Sequence, residues 1–224
     1  MSSDQSTSRV LTNNIVDSQK YSGIMRKKVH VADLSDIYGP GQRGIVADEK
    51  INKGDLILEN DPATSIYYPF DDERCSYTLE EFNRLINDHQ DPDIKNYLMR
   101  YSMKYNDKNL FVPRNYLTRD TMDLTALLNH SCDANCVSTY TDNVIAMKDI
   151  EPGTVLTVDY GIGITDDMQS VPFTVCSCGT SSCAGTDVFQ RYKQSDWQQK
   201  YYDYCFPYVK AKIDEIRKQE NKNN

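Results

Sequence analysis

The sequence predicts a mixed fold of the α+β class, mainly β, with its helices gathered in one insertion and at the C-terminal end. Three observations carry this. Short apolar runs punctuated by turn residues occupy 29–58 and 144–158. Residues 78–106 and 195–218 switch to the apolar period of a helix. Strands and helices do not alternate, and no G-x-G-x-x-G follows a strand, which disfavours a doubly wound nucleotide-binding sheet.

From the N-terminus, residues 1–20 are polar and rich in Ser, Asn and Gln, the composition of a disordered tail. Val29 to Ala32 reads as a first strand, and Gly39-Pro40-Gly41-Gln42-Arg43-Gly44 is turn chemistry. Residues 44–47 and 56–58 read as strands joined through Asn52-Lys53-Gly54-Asp55, where Gly54 supplies positive φ. Thr78 and Glu81 make a capping box ahead of Phe82, Leu85 and Ile86. Asp93 is the expected cap of a second helix whose stripe is Ile94, Tyr97, Leu98, Tyr101 and Tyr105. After Leu110-Phe111-Val112 comes a short helical piece, 122–128. Residues 144–147 and 155–158 are strands around the turn Glu151-Pro152-Gly153. The last helix, 195–218, carries Tyr201, Tyr204, Cys205, Tyr208, Val209, Ile213 and Ile216. Pro207 should kink or split it, because proline has no N–H for the helix ladder.

The 224 residues fit one domain or one with an appendage, and 39% apolar residues suffice for a core. No apolar run approaches the ~18 residues of a membrane span. Residues 1–8 lack the basic and apolar regions of a signal peptide. The expectation is an intracellular protein of nucleus or cytoplasm, neither secreted nor in a membrane. A net charge of −8 argues against direct nucleic-acid binding, which needs cations to displace phosphate counterions. It suits a basic partner, although acidity of this kind also serves plain solubility. Cysteines stand at 75, 132, 136, 176, 178, 183 and 205. Their odd number and the cluster Cys176-x-Cys178-x4-Cys183 favour metal over disulfides in a reducing compartment. Three thiolates leave a tetrahedral zinc one ligand short.

Five phrases then occur in order. Gln42-Arg43-Gly44-Ile45-Val46-Ala47 precedes Lys50-Ile51-Asn52-Lys53-Gly54-Asp55-Leu56-Ile57; Asn129-His130-Ser131-Cys132 lies mid-chain; residues 146–161 end in Val158-Asp159-Tyr160-Gly161; the cysteine segment follows. The set resembles the SET-domain protein lysine methyltransferases with their post-SET tail. The resemblance covers roughly residues 28–190, and its most specific phrase is 146–161. Departures from the family pattern are Gln42 for a glycine, Ala134 for a proline and Ala126 for an arginine.

The resemblance implies small β-clip-like sheets with a threaded pseudoknot. It divides the chain into a tail (1–20), a SET domain (28–162, with a helical insertion at about 60–125), a post-SET zinc segment (170–190) and a C-terminal helical extension (191–224). It implies S-adenosylmethionine as methyl donor, contacted by Gln42, Arg43, Gly44, Asn129 and His130. Tyr160 falls on the catalytic tyrosine. Cys132, with Cys176, Cys178 and Cys183, completes a structural zinc site, leaving Cys136 as a neighbouring spare and Cys75 and Cys205 as buried thiols. Val158 and Phe189 line the lysine channel, with Phe173 and Trp197 behind them. Asn129–Cys132 and Asp159–Tyr160, far apart in sequence, must meet. The implied activity is lysine N-methylation of a protein partner with a basic lysine-containing segment, a histone first. Methylation of a non-histone protein and a catalytically silent SET-like zinc module are the alternatives.

Overall fold

A computed structural model describes residues 20–67, 74, 76–104, 106, 108–167 and 174–223. The expected tail up to residue 19, Cys75, Tyr105 and Phe173 lie outside the described residues. The chain begins with β1 (Lys20–Ser22), β2 (Ile24–Met25) and β3 (Val29–Asp33), a one-turn helix α1 (Ser35–Tyr38), β4 (Arg43–Ala47) and β5 (Leu56–Glu59). The insertion supplies β6 (Ser76–Thr78), α2 (Leu79–Asp88), α3 (Pro92–Tyr101), β7 (Met103–Lys104), β8 (Asn109–Phe111) and β9 (Thr121–Asp123). A 3-10 turn, Leu124–Leu127, leads into β10 (Asn129–His130), β11 (Cys136–Ser138), β12 (Val144–Ala146) and β13 (Thr157–Val158). The C-terminal part holds a 3-10 stretch (Gly185–Lys193), α4 (Ser195–Tyr201) and α5 (Pro207–Asn223).

The strands are too short for one continuous sheet and form several small ones. β3 and β4 pair antiparallel from Val29↔Ala47 to Asp33↔Arg43. β5 lies instead between β12 and β2, in the order β11-β12-β5-β2. The turn at 52–55 is therefore a corner between two sheets rather than a hairpin tip. Gly54 N–H donates to the Ala146 carbonyl at 2.8 Å, and isolated bridges join Val46 to Val155 and Ile51 to Ile150. Two parallel pairs, β1 with β9 and β10 with β13, tie distant segments together. The largest buried cluster collects Ile45, Ile51, Ile57, Leu58, Cys136, Val144, Ile150 and Leu156 from these small sheets.

The insertion has a core of its own. Phe82, Ile94, Leu98 and Val112 form it, with Leu85 and Ile86 at its margin. Thr78 and Glu81 make the expected capping box at the start of α2, an arrangement worth about 1 kcal/mol. α3 starts two residues earlier than its apolar stripe suggests. Asp91, not Asp93, is the cap, and its carboxylate accepts the Asp93 N–H at 2.8 Å. Pro92 decides this: its ring presets φ for the first helical turn, where no N–H is required. At the C-terminus Pro207 splits the expected helix and opens α5.

The turn between β11 and β12 holds Asp142 at φ 58, with 6% of the residue exposed. Burial, reinforced by the charge of Asp123, pushes its carboxyl up to about 7. In the unfolded chain the group titrates near 4. As pH rises between these values the unfolded chain loses the proton first, so folding stability falls across that window. Asp142→Asn, which tolerates the left-handed backbone, should remove this loss and add roughly 2–4 kcal/mol above pH 7. Urea unfolding at pH 5 and pH 8 checks it; an equal pH dependence in variant and parent would contradict the assignment.

Candidate active site and metal centre

The parallel pairing of β10 with β13 places Asn129 opposite Thr157 and His130 opposite Val158. The Ser131 N–H continues the ladder to the Val158 carbonyl at 3.0 Å. The two phrases expected to meet do meet here. Tyr160, just beyond β13, is held at both ends. Its N–H donates to His130 Nδ1 at 3.1 Å and its hydroxyl to the Leu128 carbonyl at 2.7 Å. Burial, and then the Arg191 charge, lower the imidazole to about 4, so His130 is neutral. Because Nδ1 accepts from Tyr160, the ring proton sits on Nε2, which lies 3.3 Å from Cys132 Sγ. Burial pushes the Tyr160 phenol up to about 12, so it stays protonated at neutral pH.

The glycine-rich turn packs against this pair. Asn129 Nδ2 donates to the Arg43 carbonyl at 2.8 Å. Gly44 sits in the angle: a Cβ there would lie 2.3 Å from Leu34 Cδ1 and 2.8 Å from Asn129 Nδ2. Gly44→Ala should therefore displace Asn129 and destabilise the fold by about 1–3 kcal/mol, read from a thermal melt. An unchanged melt would mean that the neighbours give way freely. Gln42 Oε1 accepts from Arg100 at the end of α3 at 3.0 Å, and Arg43 donates to Tyr21 at 3.1 Å. Arg100, Tyr101 and Tyr38 are the charged and phenolic groups that bear on the Tyr160 hydroxyl.

Cys132, Cys176, Cys178 and Cys183 present their sulfurs within 4.8 Å of one another. A zinc with Zn–S bonds of 2.3 Å in tetrahedral array spaces its sulfurs about 3.8 Å apart. Cys132 and Cys176 are at 3.8 Å. Main-chain N–H groups of Ala184 and Cys132 face the sulfurs of Cys132 and Cys178 at 3.4 and 3.5 Å, as suits thiolates. Burial raises the Cys178 thiol, but hydrogen bonds from the Thr180 hydroxyl and the Cys132 N–H outweigh it and lower the group below the ordinary thiol value. The donor set fits a closed structural metal site. Cys136 belongs to the main core and Cys205 to the C-terminal cluster, both buried, and burial holds each thiol at about 12.

Val158 is buried in the main core. Phe189 packs with Cys132, Cys176 and Val188, and Tyr160 and Ile164 lean on the same cluster. Trp197 is buried in the C-terminal cluster, where its Nε1 donates to Asp159 Oδ2 at 2.9 Å. Sequence reasoning missed the His130 side chain as the acceptor for Tyr160, the pair Arg191–Asp159, and the approach of Tyr38, Arg100 and Tyr101. Only Tyr101 left a trace, as a member of the apolar stripe of α3, whose last residue it is.

The SET-domain family model matches residues 42–161, more than half of the chain, and the chain belongs to the SET-domain family. Similarity extends to the histone-lysine N-methyltransferase, H3 lysine-9 specific dim-5, of Neurospora crassa, 38% identical over 79 residues. The match covers 27% of this chain and 24% of that protein, so the chain aligns with about a quarter of the relative's length. Among the described residues no helix is long and apolar enough to cross a membrane.

Proposed function

We propose that the chain is an S-adenosylmethionine-dependent protein lysine N-methyltransferase acting first on histone lysines. The observation that carries this reading is the β10–β13 pairing, which brings Asn129, His130 and Tyr160 to one end of a parallel ladder beside four clustered thiols. Family membership and the likeness to a histone-lysine methyltransferase support it. In this reading Gln42, Arg43, Gly44, Asn129 and His130 hold the methyl donor, and Cys132, Cys176, Cys178 and Cys183 hold a structural zinc. The division into a SET core (28–162), a zinc segment (170–190) and a C-terminal extension (191–224) belongs to the same reading. So does the threaded topology, which the parallel pairing favours.

S-adenosylmethionine, when bound, supplies an electrophilic methyl group on a sulfonium. The chain's own work is to present a neutral amine in line with it. Free lysine is neutral in only about four molecules in ten thousand at pH 7. A dry channel favours the neutral form. Tyr160, protonated and fixed by two hydrogen bonds, orients the amine without acting as a base. Asp159, the neighbouring carboxylate, accepts from Gly161, Arg191 and Trp197, so its oxygens are committed to holding the turn, although burial raises its carboxyl above the ordinary carboxylate value. Val158 and Phe189 form the walls of the channel in this reading. The net charge of −8 suits a basic segment as partner.

The test is label transfer from S-adenosylmethionine to core histones and, separately, to cell-extract proteins, with the Asn129→Ala variant as control. Label on a histone, lost with the variant, is the expected result. Label on extract proteins alone would make the substrate a non-histone protein. No label with a folded, metal-loaded preparation would overturn the reading.

A further inference from the structure

Arg191 follows the cysteines in the 3-10 stretch Gly185–Lys193, with 12% of its side chain exposed. Its Nη1 donates to Asp159 Oδ2 at 2.7 Å and to the Cys132 carbonyl at 3.1 Å. One nitrogen therefore joins the main chain of a cysteine of the cluster to the residue before Tyr160. Asp159, whose side chain is fully buried, passes the restraint on. Its Oδ1 accepts the Gly161 N–H at 3.0 Å and so caps the turn Tyr160–Ile162. Trp197, from α4, donates its Nε1–H to Oδ2 at 2.9 Å, the same oxygen that receives Arg191. The packing is tight: a Cβ on Gly161 would lie 3.1 Å from Asp159 Oδ1 and 3.2 Å from Trp197 Cζ2.

A buried ion pair is weak evidence for stability, because desolvation offsets its attraction. This pair has a different consequence. The turn it caps fixes where the Tyr160 backbone points, and the tyrosine hydroxyl is anchored 32 residues away on Leu128. A shift of the turn would pull the ring against that anchor.

We propose that Arg191 is a positioning residue: through Asp159 it fixes the turn that aims Tyr160, and through the Cys132 carbonyl it makes that aim depend on the four-cysteine cluster. Its effect on transfer rests on the lysine-methyltransferase reading; its effect on Tyr160 does not.

The test uses the full, zinc-loaded chain with ring-labelled tyrosine, the Tyr160 signal being assigned by its loss in Tyr160→Phe. Arg191→Met should shift that signal and lower kcat about 100-fold, with the peptide KM unchanged, as for a misaligned reacting group. Lys193→Met is the control. It removes the same charge two residues on, where Lys193 pairs with Asp166 at 2.6 Å, and should do neither. If Arg191→Met does not fold, Arg191→Lys carries the test. It keeps a cation near Asp159, but its chain is one atom shorter and cannot sit between both acceptors. It should shift the signal and lower kcat by a smaller factor. A folded variant at position 191 with an unmoved Tyr160 signal and the parent's kcat overturns the proposal. A moved signal in a protein whose parent form transfers no methyl group keeps the positioning role and overturns the functional reading instead.

Discussion

Tyr160→Phe should leave a folded, metal-loaded chain whose methyl transfer is about 100-fold slower or worse, as expected when a reacting group loses its alignment. The ring itself has reason to stay in place. It packs with the Phe189 cluster and its centroid lies 5.3 Å from that of His130. Its backbone N–H on His130 Nδ1 is untouched by the substitution. What disappears is the hydroxyl, and with it the bond to the buried Leu128 carbonyl. An acceptor left without its donor costs about 1–3 kcal/mol, so the melt should drop modestly while the rate drops steeply. Burial holds the phenol at about 12, so the parent's pH–rate profile should carry no phenol ionisation near neutrality. Label incorporation and a thermal melt on the same preparation check both halves. A variant as fast as the parent would remove Tyr160 from the mechanism.

Cys178→Ser should lose the metal and loosen the C-terminal segment from residue 174 onward. Burial raises the Cys178 thiol, yet hydrogen bonds from the Thr180 hydroxyl and the Cys132 N–H outweigh it and lower the group, which favours binding as thiolate. Serine offers no comparable anion. In small zinc-folded units the metal supplies on the order of 10 kcal/mol. The surrounding apolar cluster is small, chiefly Val188 and Phe189, and cannot replace it. The loss should reach further than the cysteines, because Cys132 faces His130 Nε2 at 3.3 Å and its carbonyl receives Arg191. Metal analysis and proteolysis of residues 174–223 are the measurements. Cys136→Ala should keep its zinc, since that sulfur lies in the main core. A full metal complement in Cys178→Ser would sink the four-cysteine site.

Much of the fold could be read from local patterns. The Thr78–Glu81 box, the α3 stripe and the break at Pro207 each depend on residues within one or two helical turns. The boundary misplaced at Asp93 instead of Asp91 came from following the apolar stripe while Pro92 carried the stronger signal. The helical piece expected at 122–128 shrinks to the 3-10 turn Leu124–Leu127, because Thr121–Asp123 pairs with β1, and the strand expected at 155–158 shortens to Thr157–Val158. The site divides the same way. The phrases holding Asn129, His130 and Tyr160 and the spacing of Cys176, Cys178 and Cys183 are visible residue by residue, and their likeness to SET-domain proteins pointed to Cys132 as the fourth sulfur. Arg191 gave no signal at all, because an arginine beside a tyrosine and a lysine reads as one more surface charge until the fold buries it against Asp159.

The amino-acid sequence by itself determined the turns, the caps, the apolar stripes and the chemistry of the motifs, since each follows from interactions between near neighbours along the chain. Tertiary structure alone decided that β5 joins β12 rather than β4, that β10 lies parallel to β13, and that one arginine links the main chain of Cys132 to the turn of Tyr160. Such contacts join residues dozens of positions apart. They form only where the gain from packing exceeds the entropy of closing the loop between them, and that balance is set by the whole molecule.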